Sequence, residues 1–571
     1  MTLWKGIVMK KTLICLALVV LTVLSTACGA VVTYAPEAVG DLSALTLTSN
    51  EVRAIPGKTV GYLCELTGNA EKDAAIWTNA DKLYNEWKAR EAEIIAAGDA
   101  FITPVNASEK DFTLSIYGKY SSGTMTKYYK TRTLSSLSNY TPKTTEFDEY
   151  GGWKNDAMRQ EATGHFYTKK IDGRWWFIDP LGYPYIMSGM AGMTYQYAGS
   201  NYQKEVILKK YGDYEKWAIA ATLEIKEFNV NARSVIDNAN PYLRDVQGKI
   251  PYIDKLNFVQ AYETYIGGYD TSAKSGSTIL LYGMHVFDPR FESYSDEVAK
   301  SKIAKDAYHD DPYFIGYATD NEIPVNSSMF TQFLAFDTKD AINHHSYAAA
   351  WTFLAKELNK EDPTYVEGLT AGLNDKFRGF VYDRYFSVAA TAIRKYAPDA
   401  LILGSRALNE QRESEWLNRA SAYWCDVLSF NWYVDWTPDA NALNNISRWT
   451  DKPFIITEFF AKGEDACVGV AAGMTNNLNT IAPVVNTQAD RGKFYQNYTL
   501  RLLSCKNVAG WLWFMYTEAT PGDGNSKYMN DTYSNMGLYS NDHEPFTVFA
   551  EYVTELNQNK YNLAMFFDGK K

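Results

Sequence analysis

The sequence predicts an α/β fold, a (β/α)8 TIM barrel preceded by an N-terminal accessory, partly β-rich region. Two observations lead there. Short apolar segments rich in β-branched and aromatic residues recur between residues 185 and 514, the pattern of strands buried on both faces. Stretches of helical periodicity separate several of them, as strand–helix alternation around a parallel sheet requires. A doubly wound open sheet is the competing fold, but no Gly-rich nucleotide loop follows any of the segments.

The expected barrel strands are 185–188, 228–232, 280–286, 314–318, 401–403, 427–430, 454–457 and 510–514. The clearest helical patterns lie at 345–358, 379–396 and 488–505. The last carries Phe494, Tyr498, Leu502 and Leu503 at helical spacing. Upstream, residues 71–97 read as a helix with Ile76, Leu83, Trp87 and Ile94 on one side. Residues 112–131 alternate like exposed antiparallel strands, and 133–155 read as a polar linker. The run from Asp172 to Gly182 reads as a hairpin with a Pro-x-Gly turn.

The chain divides into three parts on this reading. Residues 1–28 form a signal peptide, 30–150 the accessory region, and 151–571 the barrel domain. Met9-Lys10-Lys11 precedes an apolar run at 12–24 that is too short for a comfortable membrane span, and small residues then lead to Cys28. Cys28 resembles the lipid-modified cysteine of bacterial lipoproteins; ordinary secretory cleavage is the alternative. The expected address is the bacterial cell envelope, with membrane contact only through a lipid anchor.

Net charge is −11 over 571 residues, which argues against nucleic acid or an anionic membrane surface as the main partner. The 42 Tyr and 15 Trp lean towards carbohydrate, whose apolar C–H faces stack on aromatic rings, although most such residues fill cores. The remaining cysteines form no C-x-x-C set, so neither a dense disulfide framework nor a cysteine-bound metal is expected.

Two glutamates carry the chemistry. Glu322 closes Phe314-Ile315-Gly316-Tyr317-Ala318-Thr319-Asp320-Asn321-Glu322, and Glu458 closes Phe454-Ile455-Ile456-Thr457-Glu458. A carboxylate at the end of a buried strand costs solvation free energy. At the C-terminal rim of a barrel it lies where active sites form, and two such carboxyls suit glycoside hydrolysis. On the expected strands they fall at the ends of the fourth and seventh. Asn321, just before Glu322, is a candidate hydrogen-bond partner for a sugar hydroxyl next to the reacting carbon.

The segments Asp320-Asn321-Glu322 and Thr457-Glu458-Phe459 resemble the clan of retaining (β/α)8 glycoside hydrolases. More narrowly, Trp175-Trp176-Phe177-Ile178-Asp179-Pro180, Val286-Phe287-Asp288-Pro289-Arg290-Phe291 and Ser429-Phe430-Asn431-Trp432-Tyr433 resemble the agarases of glycoside hydrolase family 50. The resemblance covers about residues 165–520. It implies a retaining β-glycosidase of agarase or β-galactosidase type, with Glu322 as acid/base and Glu458 as nucleophile, and without cofactor or metal. The alternatives are a non-catalytic glycan-binding lipoprotein, or a clan member acting on mannan or glucan. The eighth segment departs from the family, with Leu512 and Met515 where related agarases tend to carry His and Gln.

Other rim residues have two readings each. Trp513 is a sugar platform or core. Asn431 and Tyr433 face the pocket, Tyr433 with a hydroxyl that holds Glu458 ionised. His285 touches a sugar hydroxyl or is a satisfied core histidine. Arg406 and Arg233 position a carboxylate or sugar oxygen, or form structural pairs. Trp432 and Trp436 line outer subsites or are buried.

Overall fold

The computed structural model describes residues 66–570 except 97–103, 106–109, 120–125, 196–200, 235–240, 245, 247, 268–283, 358–370, 434, 467–481 and 519–534. It also describes the paired strands Val52–Arg53 and Leu63–Cys64. The expected signal peptide and Cys28 lie outside the described residues.

The protein is a mixed α/β fold built on a parallel sheet. Among the described residues the sheet has eight strands: Met187–Ala191, Ala232–Ser234, Tyr252–Lys255, Phe314–Ala318, Leu401–Ile402, Leu428–Asn431, Phe454–Glu458 and Val508–Phe514. Counted in chain order, they lie side by side as fifth, fourth, third, second, first, eighth, seventh, sixth. All seven pairings are parallel. The two edge strands are also joined. Val427 N donates to Ile402 O at 3.1 Å, Ala407 N to Ser429 O at 2.8 Å and Asn431 N to Ala407 O at 2.9 Å.

Seven of these strands fall on or within a few residues of the expected segments. The third does not. Residues 280–283 lie outside the described residues, and 284–286 are not a strand; Tyr252–Lys255 takes the third position. This strand is four residues long and ends in Asp254 and Lys255, so it lacks the apolar run that marks its neighbours. The expected helices are Ala70–Ala96, His344–Glu357, Ala371–Tyr396 and Gln488–Leu503.

The N-terminal part of the chain is packed into the whole. On Ala70–Ala96, Trp77, Leu83, Tyr84 and Trp87 share one apolar cluster with Phe353, Phe380 and Leu417 of the outer helices. Arg90 pairs with the buried Asp383. The antiparallel hairpin Leu114–Lys119/Thr126–Thr131 joins Val484–Val485 and Lys462–Gly463 in a second sheet. Residues 133–155, expected as a linker, instead bury Leu134, Leu137 and Tyr150, and Leu134 N donates to Gln496 at 2.9 Å.

The expected hairpin is a three-stranded sheet, Tyr167–Ile171, Arg174–Ile178 and Pro184–Tyr185. Its first turn is Asp172-Gly173, with φ of 50° and 83°. Two successive left-handed residues match the twist of a two-residue hairpin, which is why Asp-Gly serves there.

Candidate active site

Glu458 is the last residue of the seventh strand, and Glu322 lies four residues beyond the end of the fourth. Both carboxylates are buried at the C-terminal rim. A chain of backbone bonds ties the rim together. Thr319 N donates to Gly404 O at 2.9 Å and Glu322 N to Ser405 O at 3.1 Å, so the loops after strands four and five are zipped together. Trp432 N donates to Glu458 O at 2.9 Å, which ties strand six to strand seven. Glu322 and Arg406 both sit in the left-handed region, at φ of 52° and 53°. For non-glycine residues that is strain of order 1–3 kcal/mol each, held by the surrounding bonds and concentrated at the site.

Asn431 links the two carboxyl groups' surroundings. Its Nδ2 donates to Glu322 Oε1 at 2.6 Å, and its Oδ1 accepts from the Thr457 hydroxyl at 2.7 Å. In this orientation the amide NH2 faces Glu322 and its carbonyl faces the Thr457 hydroxyl. On the other side, the Arg406 guanidinium pairs with Glu458 Oε1, with both side chains almost fully buried.

Burial pushes both carboxyls well above the ordinary glutamate range, and the charge of Glu322 raises Glu458 further. The Arg406 and Lys255 charges oppose the rise at both. Ionisation of either carboxyl disfavours ionisation of the other. Arg406 bonds Glu458 directly, whereas the direct partner of Glu322 is the neutral amide of Asn431.

The three consecutive polar residues of the fourth strand's loop do separate jobs. Asp320 accepts from Val259 N at 3.1 Å and from the Tyr385 hydroxyl at 2.7 Å, and so caps the helix Phe258–Ile266. Asn321 keeps a buried Oδ1 without a hydrogen-bond partner. Glu322 turns to Asn431.

The remaining candidates separate cleanly. Arg406 and Asn431 are at the glutamates. Tyr433 is buried against Phe460, but its hydroxyl has no partner, so Arg406 rather than Tyr433 holds Glu458. Trp513 is core: its indole N–H donates to Met536 O at 2.8 Å and its ring lies 4.8 Å from Phe549 of the C-terminal helix. Strand alternation turns it away from the mouth, with Trp511, whose N–H meets Tyr495 on the outer helix.

Arg233 lies within the second strand and packs over the Tyr252 ring at 4.8 Å, donating to Leu243 O. Tyr252 in turn donates to Asp311, which precedes the fourth strand, so Arg233 serves the opposite end of the sheet. His285 is on no strand; it is a satisfied buried residue, 2.9 Å from Glu263 and 3.1 Å from Asn343 Oδ1.

Trp432 is completely buried under the Arg412 guanidinium at 3.8 Å. Trp436 is buried too, stacked on Tyr129 of the N-terminal hairpin at 4.8 Å. Neither offers a face to solvent.

Sequence reasoning missed Lys255 and Thr457. Lys255 was hidden because the short third strand went unrecognised. Thr457 was visible beside Glu458, yet its role depends on Asn431 from another strand. Among the described residues no cluster of His, Cys, Asp or Glu could hold a metal ion. Cys425 and Cys505 are buried free thiols.

Comparison with known proteins adds a frame to this geometry. The chain is 22% identical over 506 residues to Beta-agarase B of Vibrio sp. (strain JT0107), covering 72% of this chain and 50% of the relative. It is 23% identical over 399 residues to Beta-agarase A of the same organism, covering 62% of this chain and 37% of the relative. The chain thus spans at most half the length of these curated relatives.

Among solved structures, BpGH50 superposes with a TM-score of 0.67 at 25% identity, covering 80% of this chain and 96% of that one. The agarase AgWH50C gives 0.56 at 17% identity, covering 74% and 67%, a likeness of fold. No family model matches the chain.

Proposed function

We propose that this protein is a β-glycoside hydrolase of agarase type, acting on β-linked galactose units in a polysaccharide by a retaining mechanism. The observation that carries the reading is the unequal pair of buried carboxyls. Glu322 rests on the neutral amide of Asn431, and Glu458 on the cation of Arg406. A retaining enzyme needs that inequality, with one carboxyl protonated as acid and the other ionised as nucleophile. The similarity to two beta-agarases and to BpGH50 supports the same class of substrate. In this reading the parallel sheet closes as a (β/α)8 barrel, supported by the bonds between its fifth and sixth strands.

Glu322 gives its proton to the glycosidic oxygen as the bond to the anomeric carbon breaks. Glu458 attacks that carbon from the opposite face and forms a glycosyl ester. The departing sugar leaves, and the now ionised Glu322 takes a proton from water, whose oxygen displaces Glu458. Asn321, with its unpartnered Oδ1, accepts from a sugar hydroxyl next to the reacting carbon. The chain is exported to the cell envelope, anchored by lipid at Cys28.

The test is the product profile over agarose, porphyran, galactan and mannan oligosaccharides, with the anomer of the first product read by NMR. Cleavage of the galactose-containing set with retention is expected. Unchanged oligosaccharides after long incubation would instead favour a glycan-binding lipoprotein.

A further inference from the structure

The outer face of the N-terminal hairpin has no role in the site just described, yet its chemistry is unusual for this protein. In the pair Leu114–Lys119/Thr126–Thr131, Tyr117 stands directly opposite Tyr128, and Ser115 opposite Lys130. Alternation sends these four residues to one face and Ile116 and Tyr129 to the other, which seats on Trp436. Tyr128 is 69% exposed, far more than any other aromatic residue on this sheet, and it meets Tyr117 with centroids 5.8 Å apart and planes at 68°. The two rings form an open corner, one a floor and the other a wall.

Charge is equally local. Residues 112–145 hold five basic residues and no acidic one, in a chain whose net charge is −11. Lys119 ends the first strand of the hairpin on the tyrosine face, and Lys127 is exposed one residue before Tyr128. The same sheet reaches the catalytic rim, because its far strand, Lys462–Gly463, begins four residues after Glu458. Three strand steps separate that strand from the edge strand carrying Tyr128, about 14 Å at the usual spacing.

We propose that this face is an accessory glycan-binding surface that takes a polyanionic polysaccharide chain, with Tyr117 and Tyr128 against sugar faces and Lys119 against a sulfate or carboxylate. An exposed tyrosine pair has an apolar body and a hydroxyl tip, which suits a ligand that is apolar on one face and polar at its edge. The surrounding charge selects anionic chains, because the rest of the protein repels them. The surface deepens the proposed function by naming a substrate class, charged galactans, but its binding does not depend on hydrolysis.

Affinity electrophoresis of the full chain tests it, in gels cast with carrageenan, with polygalacturonate and with agarose. Retardation is expected in one or both charged gels, several-fold stronger than in agarose and lost in high salt. The carrageenan and polygalacturonate lanes separate sulfate from carboxylate recognition. Tyr128→Ala and Lys119→Glu should each remove most of the retardation while leaving hydrolysis of a short soluble galacto-oligosaccharide unchanged.

Equal migration of the variants and the unmodified protein would overturn the proposal, as would retardation no stronger in the charged gels than in agarose. Loss of hydrolysis with retardation intact would count against the enzymatic reading alone.

Discussion

Arg406, in the loop after the fifth strand, forms a buried ion pair with Glu458 at the end of the seventh. In the proposed mechanism that contact keeps the negative charge on Glu458. Replacing Arg406 with Met removes the nearest cation from the proposed nucleophile, and kcat should fall on the order of 10²–10³-fold. An opposite charge lowers a carboxyl pKa, so its loss raises that of Glu458, and the acid limb of kcat/KM should move to higher pH. Tyr433→Phe should leave the limb of the free enzyme where it is, because the Tyr433 hydroxyl has no partner there. A larger shift from Tyr433→Phe than from Arg406→Met would exchange the two roles.

Glu458→Ala should abolish hydrolysis, a loss on the order of 10⁴-fold or more. Azide then has room to attack the anomeric carbon from the face the nucleophile occupied, and an α-glycosyl azide should accumulate. Inverted product from the unmodified enzyme would refute the retaining mechanism.

Stability should report the burial of Glu322 with a defined sign. Its pKa in the folded protein is raised by burial, so folding disfavours the ionised form. Below the unfolded value both states are protonated and nothing is lost. Between the unfolded value and the folded value of about 7 the unfolded chain ionises while the folded one keeps its proton, so stability falls across that window and the loss is complete above it. Glu322→Gln should therefore raise the denaturation midpoint at pH 7–8, by about 1–3 kcal/mol of stability. The gain should fade towards pH 4. A gain equal at both ends of that range would assign the effect to packing rather than charge.

Trp436 joins the N-terminal hairpin to the segment after the sixth strand by stacking on Tyr129 and donating to Thr131 at 3.0 Å. Trp436→Ala should cost about 3–5 kcal/mol. Limited proteolysis should then cut first within residues 112–131. An unchanged cleavage pattern would show that other contacts hold the hairpin in place.

What could be read along the chain was whatever depends on neighbours in sequence. Apolar runs identified most of the strands, because a strand buried on both faces must be apolar throughout. The third strand escaped because its last two residues are charged. Those charges are tolerated only where Lys255 faces other ionisable groups, a fact about residues far away in the chain. The tryptophans failed for a related reason. Aromatic character at Trp432, Trp436 and Trp513 says that a ring will be covered, but not whether protein or sugar covers it.

The burial of Glu322 and Glu458 at or beyond strand ends was legible in the sequence, since an acidic residue closing an apolar run has a solvation cost that folding does not explain. The sequence by itself determined the two carboxyls, the parallel α/β frame and the polar loop before Glu322. Only the tertiary structure decided their inequality. It brought Asn431 from strand six to Glu322 and Arg406 from the loop after strand five to Glu458. A pKa is set by charges and hydrogen bonds within a few ångströms in space, and those partners lie 109 and 52 residues away along the chain.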